Sequence, residues 1–62
     1  MNARRKAIQA LKEAGYHYER DGGSHDIYSN DSLGTMIPVR HHFNDQDLKV
    51  ILKEIEQYRK GK

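Results

Sequence analysis

The chain has 62 residues and no cysteine, which limits it to one small domain and excludes disulfides and thiolate metal sites. Eleven Lys/Arg against nine Asp/Glu leave a net charge of +2, too mild to imply nucleic acid by itself, so the placement of the cations must carry that argument. No apolar run approaches the roughly 18 residues of a membrane span, and the polar N-terminus lacks a signal-peptide core, so the expected residence is cytoplasmic.

Asn2 is a suitable N-cap for a first helix over about residues 3–14. Ala3, Ala7, Ile8, Ala10, Leu11 and Ala14 repeat at helical spacing, and Gly15 stands where a C′ glycine belongs. Arg4, Arg5 and Lys6 fall in the first turn, where the helix dipole disfavours cations. They read either as a solvated charge run or as a phosphate-facing patch. Residues 16–20 alternate and are aromatic-rich, which predicts a first strand, with Tyr16 and Tyr18 on one face as sheet packing. Asp21-Gly22-Gly23 then supplies a turn that needs positive φ.

A second strand is predicted over about residues 24–30, with His25, Ile27 and Ser29 on one face and Asp26, Tyr28 and Asn30 on the other. A turn at residues 31–34 leads to a third strand over 35–39, which Pro38 makes either an edge strand or one that ends there. Asn44 is a second N-cap, and Asp45 and Asp47 suit the dipole of a helix over about 45–59. Leu48, Ile51, Leu52, Ile55 and Tyr58 form its apolar stripe, whose full burial is worth roughly 8–15 kcal/mol. The whole chain, residues 1–62, is therefore expected to be one two-layer α+β domain. Its order is α-β-β-β-α, with an antiparallel three-stranded sheet and both helices on one face.

The residue with the clearest chemical potential is His25, two positions after a glycine pair. Imidazole both takes and gives a proton near pH 6.5. RNA suits such a group, because its 2′-hydroxyl attacks the neighbouring phosphate once a base removes the proton. Nearby cations stabilise the charge that builds on the phosphate. The competing reading is a structural histidine: if Ile27 is core, His25 lies on the helix side of the sheet near its rim. Metal readings are weaker. His41 and His42 are adjacent and diverge in an extended loop, His17 and His25 meet only if a hairpin brings them together, and no helical histidine pair is present.

Gly23-Ser24-His25 after a helix and strand, an Ile37-Pro38-Val39 strand followed by histidines, and a last helix carrying Leu-x-x-Ile-Leu-x-x-Ile together resemble the HicA toxins. These are the mRNA interferases of HicA–HicB toxin–antitoxin pairs, also called YcfA-like. The resemblance runs from the first helix to about Tyr58. It implies a double-stranded-RNA-binding-domain-like fold and a metal-independent endoribonuclease without cofactors that cleaves mRNA. It also implies His25 as the catalytic histidine, Gly23 as the glycine that lets it meet the substrate backbone, and a HicB-like antitoxin protein that covers the site. Where many members carry Lys-x-Gly-Thr-Leu ahead of the last helix, this chain has the acidic Phe43-Asn44-Asp45-Gln46-Asp47-Leu48.

Substrate contacts are expected from Gly23, Ser24, Arg4, Arg5 and Arg40, with His41, His42 or Arg40 as the second catalytic group. Two other readings keep the same fold. One is a non-catalytic RNA-binding module that reads phosphates and 2′-hydroxyls. The other is a protein-binding unit that docks a partner by strand addition.

Overall fold

The computed structural model describes residues 2–60. Helix α1 (Ala3–Glu13) is followed by strands β1 (His17–Asp21), β2 (His25–Asn30) and β3 (Thr35–Arg40), then helix α2 (Asp45–Lys60). The strands form one antiparallel sheet in the order β1-β2-β3. The edge position of β3 is what Pro38 requires, since it has no N–H to give to a further strand.

Local chemistry sets the helix ends. The Asn2 side chain accepts a bond from the Arg5 amide at 2.8 Å, capping α1. At the other end Gly15 takes φ +97°, the Tyr16 amide donates to the Leu11 carbonyl at 2.8 Å, and the Gly15 amide donates to that of Lys12 at 3.1 Å. This is a Schellman closure, and Leu11 and Tyr16 both continue into the core. Helix α2 begins with a reciprocal cap: the Asp47 amide donates to Asn44 Oδ1 at 3.0 Å, and the Asn44 amide donates to Asp47 Oδ2 at 3.2 Å.

The core joins Ala7 and Leu11 of α1, Ile51 and Ile55 of α2, Tyr16, Tyr28 of β2, and Ile37 and Val39 of β3. Both helices thus cover the same sheet face. In register, Tyr28 lies opposite Ile37 and Asp26 opposite Val39, so these four share that face. Ile27 lies opposite Pro38 and His25 opposite Arg40, on the other face. The condition that placed His25 on the helix side therefore fails: Tyr28, not Ile27, is the core residue of β2.

The apolar stripe of α2 is also narrower than its spacing predicts. Ile51 and Ile55 are buried, Leu48 and Tyr58 pack partly against the core, and Leu52 is 45% exposed. Two buried side chains bring at most about 3–6 kcal/mol rather than the five-residue figure. Leu52 sits one residue past Ile51, about 100° around the helix, beyond the strip that a single three-stranded sheet covers.

Candidate active site

Residues 22–24 join β1 to β2 and aim His25. Gly23 adopts φ +87°, and its amide donates to Asp21 Oδ1 at 3.0 Å. No atom lies within 4 Å of where a Cβ would stand, so glycine is required here for backbone conformation and not for space. The Gly22 amide closes the turn on the His25 carbonyl at 2.7 Å. The β2–β3 ladder extends one step further, as the His41 amide donates to the Ser24 carbonyl at 3.2 Å. His25 is thus anchored on both sides through its backbone, while its ring is half-buried on the open sheet face. Ser24 Oγ stands 3.4 Å from His25 Nδ1, a long contact.

Arg40 is the register partner of His25. Its side chain is 61% exposed, and Nη1 lies 3.6 Å from Asp47 Oδ1. Asp47 therefore serves two groups, since its other oxygen caps α2. Beside this pair a cleft of about 160 Å³ opens between the β3 edge and α2. His25, Arg40 and Asp47 line it with Pro38, Phe43 and Val50, and Glu54 and Ile51 complete its wall.

The opposite face of the same sheet end carries a separate ionic cluster. Arg4 Nη2 pairs with Asp26 Oδ2, and Arg4 Nε donates to the Arg40 carbonyl at 3.3 Å. His41 Nε2 lies 3.1 Å from Asp26 Oδ1. The hydrogen bond from His41, with the Arg4 guanidinium adding to it, holds the Asp26 carboxyl below the usual carboxylate range, against a smaller opposing push from desolvation. Tyr18, edge-to-face with Tyr28 at 5.8 Å, has its hydroxyl pushed up by partial desolvation first, then by Asp26, Asp21 and Tyr28. Asp21, Asp26 and His41 bring three potential metal-ligand atoms within 4.8 Å of one another, although Arg4 already neutralises Asp26.

Of the residues singled out in the sequence, Gly23, Ser24, His25 and Arg40 come together. Arg4 does not join them: it is on the helix side, engaged by Asp26. Arg5 is exposed on the first turn of α1. His41 shares the Asp26 side, and His42 is exposed in the loop before α2. The hairpin does not pair His17 with His25. His17 lies opposite Ser29 and approaches its hydroxyl at 3.3 Å, while Ser29 donates to Glu19 at 2.9 Å. Sequence reasoning missed Phe43, Val50 and Glu54 as cleft residues. The only signal was that Val50 and Glu54 stand four apart, on one helix face beside the apolar stripe.

Residues 4–59 match the family model described as the HicA toxin of bacterial toxin-antitoxin systems. No curated protein and no solved structure gives a significant match.

Proposed function

The chain belongs to the HicA toxin family of bacterial toxin–antitoxin systems, and from that premise we propose that it is an endoribonuclease that cleaves mRNA with His25 as its catalytic base. The observation that carries the reading is the pairing of His25 with Arg40 on the uncovered face of the sheet, beside a cleft and behind a glycine turn. His25 takes the proton of the ribose 2′-hydroxyl as that oxygen attacks the adjacent phosphorus. Arg40 holds the non-bridging oxygens. Its guanidinium stays protonated throughout, which suits it to charge stabilisation and not to proton transfer. Gly23 and Ser24 keep the turn narrow enough for the RNA backbone to approach. Arg5 adds long-range attraction, while Arg4 acts inside the fold through Asp26.

A HicB-type antitoxin protein neutralises the toxin by covering this open face. No described helix is long and apolar enough to cross a membrane, and the reading needs no membrane contact.

The test is His25→Ala, compared with the parent on single-stranded RNA in the presence of a chelator. A lost general base should lower cleavage by about 10²–10⁴-fold. Equal cleavage by the two proteins refutes the role of His25. Salt-dependent RNA binding by the parent, with no product, points instead to the non-catalytic module. His41→Ala and His42→Ala beside it identify which histidine, if either, donates to the leaving 5′-oxygen.

A further inference from the structure

We infer that the cleft between β3 and α2 is a nucleobase pocket. It takes a base flanking the scissile phosphate and selects against uracil through the carboxylate of Glu54. This deepens the nuclease reading and rests on it.

Size limits the occupant first. At about 160 Å³ the cleft is near the 150 Å³ that accommodates benzene in an engineered protein cavity, so it suits one ring system and not an extended ligand. Its walls match a base in kind. Phe43, Pro38 and Val50 offer apolar surface, and Val50 is 50% exposed. Single-stranded RNA is read by stacking splayed bases on such surfaces and hydrogen-bonding their edges. Position matters as well: His25 and Arg40 form part of the same wall, so a base seated here leaves its own phosphate at the imidazole and guanidinium.

The polar groups then decide which base. Asp47 is occupied, with one oxygen on the Asn44 amide and the other facing Arg40. Glu54 is half-buried in the cleft wall and has no hydrogen-bond or ion-pair partner among the described residues. An ionised carboxylate only accepts hydrogen bonds. Guanine offers it two adjacent donors, N1–H and the 2-amino group. Adenine and cytosine each offer one amino group. Uracil offers a single N–H flanked by two carbonyl oxygens, which the carboxylate repels. The order of preference is therefore guanine first and uracil last.

The experiment uses the full chain and DNA oligonucleotides carrying one ribonucleotide, so that a single linkage is cleavable. The base on each side of that linkage is varied, with an abasic site as reference. At one of the two positions, kcat/KM for uracil should fall below that for guanine by about 5- to 140-fold, the discrimination that one good bidentate contact supplies. Glu54→Gln, which offers a donor as well as an acceptor, should bring that ratio close to one. Val50→Trp should fill the cleft and reduce every base to the abasic rate. Thermal melts of both variants confirm folding, since Val50 is half-exposed and Glu54 only half-buried. Binding of the same oligonucleotides to the His25→Ala protein supplies a readout that needs no turnover.

Base-independent cleavage, or a ratio that Glu54→Gln leaves unchanged, overturns the pocket and leaves the nuclease reading intact. Base-selective binding with no cleavage by the parent keeps the pocket and overturns the nuclease reading. If Glu54→Gln weakens the antitoxin complex but not the base ratio, the cleft belongs to a protein contact and the pocket is refuted.

Discussion

Everything said of His25 depends on which face of the sheet the helices cover, and a pair of one-methyl deletions tests it. Ile37 is completely buried between the sheet and the helices, whereas Ile27, on the next strand and the other face, is half-buried. Ile37→Val removes one methyl from a filled core, at a cost of about 0.5–1.5 kcal/mol. A 62-residue domain at about 0.05–0.15 kcal/mol per residue has only about 3–9 kcal/mol in all, so a loss near 1 kcal/mol is easily seen. In a domain of this size, each kcal/mol moves Tm by about 4–8 °C. At a cost near 1 kcal/mol, about the middle of that range, Ile37→Val should lower Tm by about 4–8 °C. Ile27→Val should stay within the surface range of about 0.5 kcal/mol, at most half that shift. Thermal melts followed by circular dichroism measure both. If Ile27→Val costs as much as Ile37→Val or more, the sheet is covered on the His25 side, the imidazole is under the helices, and the proposed site has no access to RNA.

Gly23→Ala should destabilise by about 1–2 kcal/mol through backbone strain at φ +87° alone, because the space around it is empty. Gly23→Asn should recover part of that loss, and denaturant midpoints equal to the parent's for Gly23→Ala would refute the conformational argument. Asp26 titrates below the ordinary carboxylate value of 3.8 because His41 and Arg4 hold it charged. A carboxyl depressed in the folded state stabilises above its unfolded pKa, and that contribution is lost as pH falls through the folded value. Asp26→Asn should therefore be less stable near neutrality and lose less of its stability between about pH 5 and pH 2, as read from urea midpoints across that range. Parallel acid limbs for the two proteins would show that the cluster does not contribute.

The element order was legible because each boundary carried its own chemistry: Asn2 and Asn44 at helix starts, Gly15 at a helix end, Pro38 on the edge strand. The face of β2 was not. Both of its faces hold one large apolar residue, Ile27 on one and Tyr28 on the other, so alternation alone cannot rank them. The decision is made by β3, where Ile37 and Val39 define the buried face and cross-strand register carries it to Tyr28. Leu52 was misplaced for a related reason. Helical spacing reports a stripe, but the width of that stripe is set by the partner surface, here only three strands. The glycine–histidine turn was visible in the sequence because a glycine pair marks a place where positive φ is accepted, and Gly23 takes it. The cleft was not, because Phe43, Val50 and Glu54 converge only through the angle at which α2 crosses the β3 edge.

The basic first turn shows how far charge counting falls short of charge placement. A cation at the start of α1 opposes the helix dipole by a few tenths of a kcal/mol when exposed, and Arg4, Arg5 and Lys6 invite reading as an RNA patch. Arg4 is instead 30% exposed, against an Asp26 that is 20% exposed, so the pair is shielded enough to offset the dipole term. The same guanidinium also takes the Arg40 carbonyl through Nε. Asp26 directly follows His25, and Arg40 lies opposite it. One side chain on the covered face therefore ties together the two strands that present the imidazole and the guanidinium on the open face. In a domain with so little stability to spare, that placement gives the first-turn cation a reason that binding RNA does not have to supply. The cations that face a substrate on the open side of the sheet include Arg40, opposite His25, and the exposed Arg20, opposite Ile27, with Arg5 at a distance.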